Sequence, residues 1–455
     1  MGGRHTAPWC PCTRASSTRS PTRSPRNGSS ASAHGSKISG VRAEAPRKIS
    51  GAPVEWPHGG VLSRDWVLML GEVLDTASRR LQPQQLPTVL PVPVVDAIVT
   101  TAERLLNGEP NCLKIDPEKS CTSVVLVGDV HGQLHDVLHL LEITGYPGSD
   151  QIYVFNGDYV DRGAWGFETY ILLLAWKVLL PKRVFLLRGN HETRFCNIAY
   201  GFEEEVIVKY GDDASFLYEK ILASFEALPL AAVVASSVYV AHGGLFRHCQ
   251  QAPVLTPGTT PNSSKRFMDP ESRSLKLGTL EDLAKATRGV LDPSGVGHNA
   301  VPGDVLWSDP SPNPGLEFNA ARGIGLLFGP DCTQEFLQKH RLKLIVRSHE
   351  GPDAREKRTD MKSMDNGYTI DHVVDAGKLI TLFSAPDYPQ FQARSRRHEN
   401  KGAYIVLEPP SFSKPHYHTF EAIIPRPQVS SYYDYVNALD SDEELDFGKG
   451  VENPG

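Results

Sequence analysis

Short β-branched runs recur along the middle of the chain, each closed by a polar turn. They are Val124 to Val127 before Gly128-Asp129, Ile152 to Phe155 before Asn156-Gly157-Asp158, and Val184 to Leu187 before Arg188-Gly189-Asn190-His191. Val238 to Ala241 then precedes His242-Gly243-Gly244, Leu342 to Val346 precedes Arg347-Ser348-His349, and Leu379 to Phe383 precedes Ser384-Ala385-Pro386-Asp387-Tyr388. Continuous apolar runs of this length between turns are what strands buried on both faces look like. Helical spacing appears between several of them, notably at Val137 to Leu141 and Thr169 to Leu180. The pattern predicts a layered α/β domain in which six strands deliver polar groups at their carboxyl ends.

Two helices are predicted ahead of the strands. Leu62, Trp66, Leu70 and Val73 share one face behind a Ser63 cap, and Val95, Ile98, Val99, Ala102, Leu105 and Leu106 share another before Asn107-Gly108 stops the helix. Residues 248–303 break the rhythm as a long Pro-, Ser- and Gly-rich insert with one helical island, Thr279 to Gly289, opened by a Thr279/Asp282 capping box. The expected organisation is a disordered basic arm over residues 1–60, a helical lead-in packed on the core over 61–110, a catalytic domain over 111–425 that carries the 248–303 insert, and an acidic tail over 426–455.

Charge sharpens this division. The first fifty residues hold nine Lys or Arg and a single acid, Glu44, so with the whole chain at −6 the remainder carries −14. A body this acidic argues against nucleic-acid binding. The tail packs five acids into Asp440 to Asp446, the pattern of a solvated segment. Seven scattered cysteines without a CxxC pair indicate neither a disulfide framework nor a zinc ribbon, and no apolar stretch approaches the ~20 residues of a membrane span.

The groups at the strand ends form a set: Asp129, His131, Asp158, Asn190, His242 and His349. Each alone is what a hydrogen-bonded core residue also looks like. Together, three imidazoles, two carboxylates and one amide oxygen suit Zn, Fe or Mn and disfavour soft metals. Two metals about 3.5–4 Å apart need a shared ligand, and Asp158 stands in the middle of the order.

Gly128-Asp129-Val130-His131-Gly132, Gly157-Asp158-Tyr159-Val160-Asp161-Arg162-Gly163 and Arg188-Gly189-Asn190-His191-Glu192 resemble the three signature blocks of the phosphoprotein phosphatase family of serine/threonine phosphatases. His242-Gly243-Gly244, Leu306-Trp307-Ser308-Asp309-Pro310, Arg322-Gly323 and Ser384 to Tyr388 continue the likeness across roughly residues 120–410. The insert, the Arg347 to Arg358 block and Tyr432-Tyr433-Asp434 are similar to the plant type-7 branch.

The resemblance implies a metallophosphoesterase-type central β-sandwich flanked by helices. It implies that Asp129, His131 and Asp158 bind one divalent metal and that Asp158, Asn190, His242 and His349 bind the other, as Mn or an Fe/Zn pair. A water or hydroxide between the two would attack phosphorus in line. Arg162 and Arg322 would clamp the phosphoryl oxygens, and Tyr388 would line the pocket. His191, kept protonated by Asp161, would donate a proton to the departing serine or threonine oxygen.

The likeness departs at Asp387 and Pro389, where type 1 and 2A relatives carry Asn and Cys. A dinucleoside polyphosphate hydrolase shares the first three blocks, and Arg322 with the Ser384 to Tyr388 loop favours the protein phosphatase over it. A catalytically dead phosphoprotein-binding scaffold is the remaining alternative, and the complete ligand set speaks against it.

Phosphoproteins are the expected substrates. The likeness to the type-7 branch implies calmodulin as a partner of the insert, with Leu277, Leu280, Leu283 and Val290 as anchors of a helix over Ser274 to Leu291. Glu281 and Asp282 there dilute the basic Lys276, Lys285 and Arg288. Masking of the active-site groove is the other regulatory reading of the insert. Nucleus and cytoplasm are the expected location. The Arg- and Ser-rich arm also resembles a chloroplast transit peptide, and Met1-Gly2-Gly3-Arg4-His5-Thr6 with Cys10 and Cys12 fits a lipid anchor.

Overall fold

Val124 and Leu126 lie on one face of their strand and Val125 and Val127 on the other, and all four are buried. The computed structural model describes residues 52–117, 122–248, 275–389, 397–427 and 430–432, all within one unit running from Ile49. The arm up to residue 51, the insert over 249–274, most of the basic loop after Pro389 and the tail from residue 433 lie outside the described residues.

Five strands form one sheet. β2 (Ser123–Val127), β3 (Gln151–Phe155) and β4 (Val184–Leu186) run parallel, β13 (Gly402–Leu407) pairs antiparallel with β2, and β14 (His416–Phe420) pairs antiparallel with β13, giving the order β14-β13-β2-β3-β4. Six strands form the second sheet: β1 (Cys112–Ile115), β5 (Ala231–Val234), β6 (Val238–Ala241), β10 (Leu344–Arg347), β12 (Gly377–Leu382) and β11 (Tyr368–Val374), in that order. Here β6, β10 and β12 are mutually parallel. A small sheet of β7 (Asp309–Pro310), β9 (Leu326–Phe328) and β8 (Leu316–Phe318) stands beside them.

The two large sheets share one apolar layer. Val124, Leu126, Ile152 and Val154 meet Val238, Val240, Val346, Ile380 and Leu382, with Ala403 and Ile405 from β13. Helices cover the outer faces, which is why the strands read as unbroken apolar runs. On the five-stranded sheet the covering helices are Arg64–Arg80, Val92–Asn107, Gly166–Leu179 and Ala214–Ala227. In the first, the Ser63 side chain accepts from Trp66 N–H, and Arg79 and Arg80 in the last turn suit the negative end of the helix dipole. Leu70, Leu74, Ile98 and Leu106 are fully buried, each worth about 1.5–3 kcal/mol. On the six-stranded sheet, Phe336 and Leu337 of helix Pro330–His340 pack over Tyr239, Ile345 and Leu379.

The insert differs from the sequence expectation. Thr279 and Asp282 do form the capping box, but the helix spans only Leu280–Lys285. Leu283 is fully buried, and Leu277 and Leu280 pack on the same cluster as Tyr239 and Phe336. Asn111 Nδ2–H donates to the Leu283 and Ala286 carbonyls, at 3.1 and 2.6 Å, and the Arg188 guanidinium donates to Val290 O and Leu291 O at 2.8 and 2.7 Å. Segment 276–291 is thus bound into the body, and its apolar stripe covers the protein's own sheet. A second α-helix of this region, Ala300–Trp307, begins inside the expected insert boundary and leads directly to β7.

Candidate metal centre

The carboxyl ends of β2, β3 and β4 face those of β6, β10 and β12 across the sandwich, and the turns that follow stitch the two sheets together. Gly128 N–H donates to Ser384 Oγ at 2.8 Å, and Ser384 N–H returns a bond to Asp129 O at 3.0 Å. Asn156 Nδ2–H bonds Ala241 O and Ser348 Oγ at 3.1 and 3.0 Å. His349 N–H reaches Asp129 Oδ2 at 3.1 Å across 220 residues of sequence. Only glycine fits where the turns touch: a Cβ on Gly189 would lie 2.2 Å from Asp158 Oδ1, and one on Gly157, at φ +92°, 2.3 Å from Gly189 N.

These turns converge the whole ligand set, all of it buried. Asp158 is the hub. Its carboxylate groups with His131 and His191 on one side and with His242 and His349 on the other, so one carboxylate is common to two metal-sized clusters. Its Oδ2 lies 3.7 Å from His131 Nε2 and 3.3 Å from His242 Nε2. Asn190 Oδ1 lies 2.8 Å from both His242 Nε2 and His349 Nδ1. His242 Nδ1–H is committed to Asn156 O at 2.8 Å and His131 Nδ1–H to Val160 O at 3.2 Å, which turns each Nε2 lone pair into the centre.

A buried carboxylate and amide oxygen with ring nitrogens this close call for positive charge among them, from a proton or a bound cation. Burial and the charge of Asp158 push Asp129 up to about 8. Burial drives His131 down to about 3, whereas the charges of Asp158 and Asp129 outweigh burial at His242 and raise it to about 9. His349 Nε2 is buried without a hydrogen-bond partner among the described residues. The donor set therefore fits divalent metal.

At the mouth, His191 Nδ1–H donates to Asp161 Oδ2 at 2.7 Å, while Asp161 also accepts from Asn197 Nδ2–H and Phe202 N–H at 3.2 and 3.0 Å. Burial brings His191 down to about 4 and raises Asp161. The Asp158 and Asp353 charges act against burial at the ring, and Arg162 and His242 add to it. Arg322 lines the cavity with Tyr388, Trp307, Asp353 and Tyr200. The Arg162 guanidinium lies 4.0 Å over the ring of Tyr200, itself a wall of the cavity. His131, Asp158, Asp161, Arg162, His349 and Asp387 all have positive φ, between 41° and 72°, a concentration of backbone strain at one place.

Two positioning groups were not singled out from sequence. Glu192 accepts from Asp158, Tyr159 and Gly189 N–H, each at 2.8 Å, and so ties the second block to the third. Asp309 accepts from Arg322 Nε at 2.5 Å and Arg347 Nη2 at 3.0 Å. Both sit inside quoted motifs, and their buried charges were the available signal.

Residues 122–353 match the calcineurin-like phosphoesterase model. The chain is 58% identical over 398 residues to serine/threonine-protein phosphatase 7 of Arabidopsis thaliana, covering 87% of this chain and 95% of that one. It is 49% identical to the Arabidopsis serine/threonine-protein phosphatase 7 long form homolog, covering 85% of this chain but 29% of that longer protein. Among solved structures, a Saccharomyces cerevisiae serine/threonine phosphatase similar to human phosphatase 5 superposes with a TM-score of 0.61 at 28% identity, over 82% of this chain and 99% of that one.

Proposed function

Because the chain belongs to the calcineurin-like phosphoesterase family, and within it to the serine/threonine-protein phosphatases, we propose that it hydrolyses phosphoserine and phosphothreonine in proteins at the centre built around Asp158. The observation that carries this is Asp158 common to two metal-sized clusters, His131-Asp158-His191 and Asp158-His242-His349, with Arg322 lining the same cavity. Asp129, His131 and Asp158 would hold one divalent ion, and Asp158, Asn190, His242 and His349 the second. Such ions lower the pKa of bound water and so supply a nucleophile at neutral pH.

The remaining work falls to the chain's own side chains. Arg322, held in plane by Asp309, presents a fixed fork to phosphoryl oxygens, and Arg162 adds a second positive charge behind Tyr200. Tyr388 closes one wall of the pocket against His131. His191 has its Nδ1–H committed to Asp161, so the proton it gives to the leaving alkoxide is the one on Nε2. Its lowered basicity makes that imidazolium a stronger acid, and the Asp161 carboxylate steadies it while charged.

The test is direct. The full chain supplied with manganese should dephosphorylate phosphoserine and phosphothreonine peptides, stop on chelation, and leave diadenosine tetraphosphate intact. Cleavage of the dinucleotide with no turnover of phosphopeptides would overturn the reading in favour of a dinucleoside polyphosphate hydrolase, and no turnover of either would favour a scaffold. The mixed N/O donors suit Mn or an Fe/Zn pair, which metal analysis of the purified protein would distinguish.

Calmodulin at the insert would have to engage residues other than Leu277, Leu280 and Leu283, since these side chains pack into the body. Calcium-dependent capture of the full chain, lost on replacing 249–274 and kept in a Lys285→Ala variant, would support that placement. The location we favour is nucleus and cytoplasm, which a C-terminal fluorescent fusion would test against plastid and plasma membrane.

A further inference from the structure

A continuous line of buried ion pairs leads away from Arg322. Asp309, which holds its Nε, also accepts from Arg347 Nη2; Arg347 Nη1 donates to Glu350 Oε2 at 2.9 Å. Glu350 Oε2 accepts from Arg355 Nη2 at 2.8 Å, and its Oε1 from Arg358 Nη1 at 3.1 Å. Arg355 ends the line with a two-pronged pair to Asp371, at 3.0 and 2.8 Å. The side chains of Arg347, Glu350, Arg355 and Asp371 have no exposed surface. Asp371 stands where the pairing of β11 with β12 slips between Ile370 and His372. A bulge on an edge strand re-aims a side chain, and here Asp371 is directed to Arg355, with Thr369 and Thr381 hydroxyls donating to it at 2.8 and 2.5 Å. Burial pushes the Asp371 carboxyl up, but hydrogen bonding and charge from Arg355 outweigh it and hold it at about 2.

Resting on the reading of Arg322 as a phosphate clamp, we propose that Asp371, Arg355 and Glu350 are positioning residues that set the Arg322 fork through Arg347 and Asp309. A buried ionic line of this length is a poor device for stability, because apolar side chains of the same volume would serve as well or better. It is a good device for fixing direction, since each planar fork allows one geometry to the next carboxylate. Arg347 adds a second hold on the site: its Nε and Nη2 also donate to Gly243 O and Ser308 O, each at 2.9 Å. Charge removed at the β11 bulge therefore leaves Arg355 and Arg358 competing for Glu350, draws Glu350 from Arg347, and lets Arg347 compete with Arg322 for Asp309.

The experiment compares Asp371→Asn, Arg358→Gln and Arg322→Ala, and Asp371→Asn combined with Arg322→Ala, in the full chain with manganese. It reads KM and kcat on a small aryl phosphate, the inhibition constant of inorganic phosphate, and the phosphate-induced shift in thermal unfolding. Arg322→Ala should weaken phosphate binding strongly. Asp371→Asn should weaken it about tenfold, raise KM more than it lowers kcat, and add nothing in the Arg322→Ala background. If Arg322→Ala leaves phosphate binding unchanged, the clamp reading fails. If Arg322→Ala weakens it but Asp371→Asn does not, or the two effects add in full, the positioning line fails alone. Should Asp371→Asn not fold, Arg358→Gln decides, its side chain being 21% exposed. About threefold weaker phosphate binding is then expected from loss of one charged contact, and unchanged binding overturns the proposal.

Discussion

Asp161→Asn perturbs one atom of the site and leaves its shape intact. The carboxylate accepts three bonds: His191 Nδ1–H and Asn197 Nδ2–H at Oδ2, and Phe202 N–H at Oδ1. An amide must turn its NH2 toward one of these sides. Facing Oδ2's partners, it confronts the Asn197 donor and forces the imidazole to accept at Nδ1. The proton then sits on Nε2 of a neutral ring, a far weaker acid than the imidazolium. Facing Phe202, it places donor against donor at a buried backbone N–H, at a cost of about 1–3 kcal/mol in stability. A general acid contributes 10²- to 10⁴-fold, so turnover of an alkyl phosphate should fall by about 10²–10³, or roughly 3–4 kcal/mol in the barrier. An aryl phosphate, whose leaving group needs little protonation, should lose far less. Steady-state kinetics on both substrates with metal analysis of the same preparations is the assay. Equal losses on the two substrates would refute the acid assignment of His191, and loss of metal would show that the carboxylate supports ligands instead.

Because Asp158 belongs to both ligand clusters, Asp158→Asn should lose both metals and His131→Ala only one, as read by metal analysis of the purified variants; equal metal retention in the two would remove Asp158 from its bridging place. Replacing residues 250–273 with a short Gly-Ser linker should leave a folded enzyme with small-substrate turnover equal or higher. Extending the replacement through residue 300 should abolish folding, since it deletes fully buried Leu283 and the carbonyls that hold Arg188. Leu283→Ala alone should cost about 2–5 kcal/mol in denaturant unfolding, and a loss below ~1 kcal/mol would contradict its place in the core. Burial lowers His135 to about 3, so its contribution to stability is full above its unfolded value near 6.5 and is lost as pH falls toward 3. Unfolding measured from pH 6.5 to 5 should fall less steeply for His135→Gln, by up to about 1.4 kcal/mol per pH unit; identical slopes would mean the ring is not held neutral.

Much of the local structure was legible because local rules suffice for it. Ser63 and Thr279 cap the helices their spacing announced, and Gly108 ends the second one. The six apolar runs are strands, and their polar ends do meet. In the two large sheets β1, β5, β11, β13 and β14 were not singled out: Ala231–Val234 begins with small residues, and His416–Phe420 is largely exposed, so neither makes a strong apolar run. Leu277, Leu280 and Leu283 show the same limit from the other side, because a stripe of apolar positions reports that a face is buried and says nothing about what buries it.

The amino-acid sequence by itself determined which residues could carry chemistry, because strand ends, glycine turns and ligand types are written within a few residues of one another. Only the tertiary structure decided that the six strands divide three and three between two sheets, and that the sheets meet through Asn156, Ser348, Ser384 and Asp129 at the end where the ligands gather. It likewise decided that Asp309 serves Arg322, that Glu192 ties two blocks together, and that a slipped register at Asp371 points a carboxylate toward Arg355. Those choices depend on side-chain geometry between segments tens to hundreds of residues apart. Periodicity along a chain carries no information about which distant segment supplies the partner.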